Sequence, residues 1–268
     1  MKRFYDSVND RLVYVDNKAN ECFWDVHWNK YNIEQAIKLA TLNRLILVPT
    51  HKYLFKGAQI LEGGCGLGQN VWSLQKNGYD AYGIDYAEDT VKKVNAVIPE
   101  LKVSCCDVRR LKFENDFFDG YWSLGVVEHF YEGFDTIAHE MNRVIKPGGY
   151  LFLTFPCMSK FRRRKVRLGK YKIWKENPSE LDNFYQFALP EESVISHFLN
   201  DGFTLIEKKS IGGLKGFKDE IEHKEAQRLL QKLYDSGNIV SRVLAWGLDQ
   251  LLAPFAGHCK LLVFRKTN

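Results

Sequence analysis

From Gln59 to Phe155 the chain alternates short apolar runs with stretches of helical period, which restricts it to few architectures. The apolar runs are Gln59–Glu62, Asp80–Asp85, Leu101–Cys106, Phe118–Leu124 and Tyr150–Phe155. Between them, Gln69–Lys76 closes on Asn77-Gly78 and a helix through Asp89–Val97 ends before Pro99. Phe134–Ile145 meets the turn Lys146-Pro147-Gly148-Gly149. Strands joined by helices need crossover connections, so the sheet is expected to be parallel and covered on both faces. Upstream, residues 1–50 read as helices. Over Asn32–Val48, Ile33, Ile37, Ala40, Leu45 and Val48 recur at mostly helical spacing, and Pro49 stops the run. After Pro156 the rhythm breaks, and no clear period is visible to about Phe187. A helix over Pro190–Asn200, a strand over Phe203–Lys208, two helices between Asp219 and Leu252 and a strand at Lys260–Phe264 follow. The expectation is one α/β domain: a helical cap (1–50), a cofactor-binding core (51–156), a basic lid or insertion (157–187) and the C-terminal part of the sheet (188–268).

The glycine-rich turn after the first of these strands narrows the chemistry. In Ile60-Leu61-Glu62-Gly63-Gly64-Cys65-Gly66-Leu67-Gly68, glycines recur at alternate positions 64, 66 and 68. Such a turn lets backbone approach a ligand with no side chain in the way, and the helix beyond offers free N–H groups. A dinucleotide-binding turn would carry G-x-G-x-x-G, but the position for its last glycine is Gln69. An acid, Glu62, also precedes the glycines. A carboxylate there suits a ligand with a cationic ammonium and a sulfonium, not a pyrophosphate. Asp85, at the tip of the second strand and 23 residues after Glu62, is placed to accept both hydroxyls of a ribose. Asp107 ends the third strand, where it could take an adenine amino group. The fourth strand ends in Ser123-Leu124-Gly125-Val126-Val127-Glu128-His129.

This constellation resembles the class I S-adenosylmethionine-dependent methyltransferase family, in its small-molecule branch. Glu62 to Gly68 resembles the family's first motif, Asp85 its second-strand acid and Asp107 its adenine-side acid. Glu128-His129 resembles the pair that follows the fourth strand in many small-molecule members. The resemblance implies a Rossmann-like sheet of seven mostly parallel strands, the last antiparallel, with S-adenosyl-L-methionine as cofactor. The implied contacts are Glu62, Gly63, Gly64, Gly66, Gly68, Asp85, Tyr86, Asp107, Val108, Leu124 and Gly125. In the family an N-terminal helix lids the cofactor, which adds Trp28, although the run Phe23–Trp28 is aromatic enough to be core.

With 45% hydrophobic and 14% aromatic residues among 268, the chain can bury a substantial core, which excludes disorder as a whole. No apolar stretch of signal-peptide or membrane-spanning length appears, so a cytoplasmic protein is expected. The six cysteines form no CxxC pair, as expected of reduced, packed thiols without a metal. The net charge of +5 is concentrated. Between Met158 and Lys175 nine positive charges occur with no acid, so the remainder of the chain is net acidic. That run points to a docking surface for an anionic partner: a small anionic acceptor, or a membrane-borne one, reached through 158–175. The acidic remainder and the lack of an appended binding domain argue against nucleic acid.

Methyl transfer needs nucleophile and methyl held in line, and an oxygen nucleophile also needs a base. His129 is the only residue near the strand ends whose ordinary pKa suits that role. Expected, then, is transfer to a small acceptor such as a glycan, a lipid-linked precursor or a metabolite. The alternatives are an RNA or protein methyltransferase using the basic run, or a cofactor-binding subunit without catalysis.

Overall fold

The structure, a computed structural model, describes residues 1–267. It opens with a hairpin, β1 (Lys2–Asp6) and β2 (Arg11–Val15), so the helical reading of residues 1–50 holds only from Glu21 onward. In β2, Leu12-Val13-Tyr14-Val15 are all buried, and a strand covered on both faces carries no polar–apolar alternation to betray it. Leu12 and Tyr14 pack with Met158 and Ala188, while Val13 and Val15 enter the main core. Helices α1 (Glu21–Trp28), α2 (Ile33–Ala40) and α3 (Arg44–Tyr53) follow. Asn20, Asn32 and Asn43 cap them, each side chain accepting a first-turn N–H. Asn43 divides into two the single helix expected over Asn32–Val48. Pro49 lies inside α3, which gives up one backbone hydrogen bond there and runs on to Tyr53.

The expected alternation follows: β3 (Gln59–Gly63), α4 (Gln69–Lys76), β4 (Asp80–Asp85), α5 (Glu88–Val97), β5 (Val103–Cys105), β6 (Phe118–Leu124), α6 (Asp135–Val144) and β7 (Ile145–Pro156). The turn expected at Lys146–Gly149 is absorbed into β7, whose ladder with β6 slips between Phe118 and Gly120. Residues 157–187, expected to lack a period, carry α7 (Lys160–Arg167), β8 (Lys172–Ile173), α8 (Pro178–Leu181) and the start of β9 (Phe184–Ala188). Strands β8, β1, β2 and β9 form a second sheet in that order. Then come α9 (Glu191–Asn200), β10 (Phe203–Ile211), α10 (Gly213–Glu220), α11 (Lys224–Asp235), α12 (Ile239–Ala256) and β11 (Cys259–Lys266), with three helices where two were expected.

The main sheet has seven strands in the order β10-β11-β7-β6-β3-β4-β5, with β11 antiparallel to both neighbours and the other pairs parallel. Its residues alternate between two cores. Leu61, Tyr121, Leu151, Leu153, Leu262 and Phe264 face one, and Ile60, Trp122, Phe152, Leu261 and Val263 the other. The order in which strands are added reverses between β3 and β6, which opens a crevice at their carboxyl ends.

The basic run is not a free cationic surface. Arg162 in α7 is 1% exposed and donates to Glu220 Oε1 at 3.0 Å and to the carbonyls of Cys157 and His258 at 2.6 and 3.2 Å. Glu220 also holds Arg3 and Lys165, each at 3.1 Å, and accepts from the Tyr171 hydroxyl at 2.6 Å. Arg163 pairs with Asp10 and Glu192, and Lys170 with Glu222. Arg162, Arg163, Lys165 and Lys170 are thus met from within, by acids far away in sequence. Glu220→Ala leaves the Arg162 charge buried and uncompensated, and it should destabilise the protein by about 3–5 kcal/mol in chemical unfolding.

Candidate cofactor and acceptor site

The strand β3 delivers Glu62 to the crevice, and the chain turns sharply through Gly64, Gly66 and Gly68, all at positive φ. The turn is fastened to β4. The N–H groups of Gly64 and Cys65 both donate to the Ile84 carbonyl, at 2.8 and 2.9 Å, and Gly66 N–H donates to Asp85 Oδ2 at 2.8 Å. A side chain on Gly66 would also run into the Trp28 ring, 2.5 Å from where its Cβ would stand. The helix α1 thus lies directly on the turn.

Three acids stand at successive strand ends in distinct electrostatic states. Glu62 is 2% exposed; Oε1 accepts from Asn70 Nδ2 at 2.7 Å, while Oε2 has no partner. Burial pushes its carboxyl up to about 8, helped by nearby Asp85 and opposed by Asn70. Asp85 is also raised by burial, although Ala87 N–H at 2.9 Å and Gly66 N–H hold its two oxygens. Burial pushes Asp107 up as well. The Arg109 guanidinium, which clasps it with Nη2 at 2.6 Å, more than offsets this and holds the carboxyl below its ordinary range.

These side chains open on one cavity of about 1070 Å³. Of the expected residues, Trp28, Glu62, Gly64, Asp85, Tyr86, Asp107, Val108, Leu124, Gly125 and His129 line it. Gly63, Gly66 and Gly68 are not on its wall. Side chains there would collide instead with Tyr121, Trp28 and Leu101, so these three glycines let the turn pack. Sequence reasoning missed Asn70, which aims the Glu62 carboxylate. It also missed Trp24 and Tyr185, whose rings meet His129 edge-on with centroids 5.1 Å away.

The residues present fit S-adenosylmethionine. The orphaned Oε2 of Glu62 would take the ammonium group, each Asp85 oxygen keeps a lone pair for a ribose hydroxyl, and Asp107 would take the adenine amino group. A methyltransferase-domain family profile matches residues 61–153. Demethylmenaquinone methyltransferase of Staphylococcus aureus is 32% identical over 228 residues, covering 74% of this chain and 92% of that one. The chain belongs to the class I S-adenosylmethionine-dependent methyltransferases. Phosphoethanolamine N-methyltransferase 1 of Zea mays is 27% identical over 253 residues, 80% of this chain but 49% of that enzyme, so the chain spans about half its length. A SAM-dependent methyltransferase from Archaeoglobus fulgidus has the same fold, with a TM-score of 0.53 at 17% identity across 86% of this chain and 94% of that one.

His129 lines the cavity from the 3₁₀ turn Val127–His129 after β6. Its Nδ1 lies 2.7 Å from the Tyr185 carbonyl, which can only accept, so Nδ1 carries the hydrogen and Nε2 is left as an acceptor. Burial lowers its pKa to about 4, with the Tyr185 bond opposing the shift. His129 is therefore a neutral, weakly basic acceptor at pH 7, not the near-neutral base its residue type suggested. Glu128 beside it is 2% exposed and packs inward; burial raises its carboxyl to about 8.

Two outcomes test the cofactor contacts. If Glu62 faces the ammonium group, its carboxyl, protonated at neutral pH in the free protein, must ionise on binding. Binding at pH 7 then releases about one proton, and affinity rises with pH up to about 8 and levels above it. Calorimetry in buffers of differing ionisation heat reads the proton count, which Glu62→Gln should abolish. Asp85→Ala should weaken S-adenosylhomocysteine binding by about 1.5–3 kcal/mol for each ribose hydrogen bond lost.

Proposed function

We propose that this methyltransferase methylates a small acceptor carrying no net negative charge, whose nucleophilic nitrogen donates an N–H to His129 Nε2 and sheds a proton to solvent after the transfer. Glu62, Asp85 and Asp107 hold the cofactor in this reading. The composition of the acceptor wall carries the proposal. Around His129 stand Trp24, Phe130, Tyr131, Phe184 and Tyr185, with Glu132, Asp135, Glu176 and Asp182 toward the outside. The cations among the described lining residues are Lys18 and Arg109, and Arg109 is already engaged by Asp107. Acids repel a compact anion, and aromatic faces favour flat or cationic groups. The basic run that suggested an anionic acceptor turns much of its charge onto the protein's own acids. That also weakens the RNA alternative, for which an open basic surface is needed. Two relatives are named for phosphoethanolamine and demethylmenaquinone, which supports a small-molecule acceptor. The free cysteines Cys22, Cys65, Cys105, Cys106, Cys157 and Cys259 suit the reducing cytoplasm as its working compartment.

When bound, S-adenosylmethionine supplies an electrophilic methyl carbon on a sulfonium leaving group. The protein's task is alignment and exclusion of water, and His129 contributes by orienting the acceptor's donor hydrogen. With labelled cofactor and acceptors matched in size, neutral and cationic members should outpace anionic ones; preference for the anionic set overturns the proposal. His129→Ala should lower turnover about tenfold, the worth of one neutral hydrogen bond, with cofactor affinity unchanged.

A further inference from the structure

The helix α12 carries an unusual surface. Of its eighteen residues only Ala253 and Ala256 are buried, and Ile239, Val240, Val243, Leu244, Trp246 and Leu251 are exposed, Trp246 by 67% and Leu251 by 74%. At 3.6 residues per turn, Val240, Leu244 and Leu251 lie on the face opposite Asp249, Ala253 and Ala256. The latter face packs on α10: Asp249 Oδ1 accepts from Leu214 N–H at 3.0 Å, and a side chain on Gly213 would strike Ala253. The outward apolar stripe thus has no counterpart in the fold. One turn beyond Leu251, Phe255 stacks on Phe161 of the basic helix α7, with centroids 5.3 Å apart. On α7, Lys160, Arg164 and Arg167 recur at i, i+4 and i+7, all exposed. None has a carboxylate within salt-bridge distance among the described residues. On α7 these are the cations without an acid partner, and Lys172 and Lys175 further along the run are likewise unpaired among the described residues.

An exposed apolar helix face bordered by unpaired cations matches an interfacial helix that lies in a bilayer surface. We propose that the outer faces of α12 and α7 form a docking surface for an anionic lipid bilayer, with Val240, Leu244 and Leu251 entering the headgroup boundary. Lys160, Arg164 and Arg167 meet the lipid phosphates. A second copy of the chain fits this surface less well, because a two-fold contact sets the patch against itself and brings the cations of α7 near their own copies. The inference is independent of the acceptor's identity.

The test is cosedimentation of the full chain with vesicles of phosphatidylcholine alone and of phosphatidylcholine with phosphatidylglycerol. Binding is expected to the anionic vesicles and to fall with salt. The combined Leu244→Ser and Leu251→Ser variant should weaken it by more than about tenfold. Lys160→Gln, Arg164→Gln and Arg167→Gln together should weaken it on the order of a hundredfold. All five side chains are exposed, and an unchanged melting temperature verifies folding. Absence of binding to anionic vesicles, or wild-type binding by either variant, overturns the proposal. So does a stable dimer in ultracentrifugation that the Leu244→Ser and Leu251→Ser changes dissociate while vesicle binding stays absent.

Discussion

The carboxylate of Asp85 is the fastening on which the site depends. One oxygen holds Gly66 N–H at 2.8 Å and the other Ala87 N–H at 2.9 Å, so one side chain ties the glycine turn after β3 to the start of the helix after β4. Because the turn cannot move without releasing that bond, the Glu62 carboxylate and the Trp28 ring keep fixed positions relative to Asp85. Burial raises the free energy of this carboxylate, and its backbone donors offset part of the penalty. A group held this way is already ordered before any ligand arrives.

Buried ionisable groups elsewhere divide according to whether charge is met by charge. Arg162 and Glu220 neutralise one another, with Arg3, Lys165 and Tyr171 completing the cluster. Both groups stay charged, Glu220 held below its ordinary range chiefly by Arg162 and Arg3 against the pull of burial. Glu62 and Glu128 have no cation at hand, and each is driven up to about 8. The first pattern is structural. The second, at Glu62, leaves a carboxyl whose proton a cationic ligand can displace.

The main sheet is legible in the sequence because its strands end in glycines or acids and its helices stop at Asn77-Gly78 and Pro99. Asp85 and Asp107 are legible for the same reason, since position at a strand tip dictates what they can touch. The second sheet is not legible. Strand β2 is apolar on both faces, and β8 spans only Lys172–Ile173. Missing that sheet hides Tyr185, and with it the bond that fixes the His129 tautomer. Asn70 shows no pattern either: its role comes from its place in the first turn of α4, opposite Glu62. The basic run misleads because its counter-charges, Asp10, Glu192 and Glu220, lie far away along the chain.

Strand β2 has a consequence for the order in which the molecule can assemble. Its partner β9 lies at Phe184–Ala188, so Leu12 and Val13 pair with Ala188 and Phe187 only after the long stretch between them has been made. Until then the edge of β2 that β9 covers has no ladder partner. The crevice strands β3 to β6 need no such wait, since each pairs with residues within about sixty positions of itself. Because loop closure over long separations is slow, the wall that carries Tyr185 is the late-forming part of the domain. The cofactor half of the cavity can therefore take shape on the nascent chain well before the acceptor half exists.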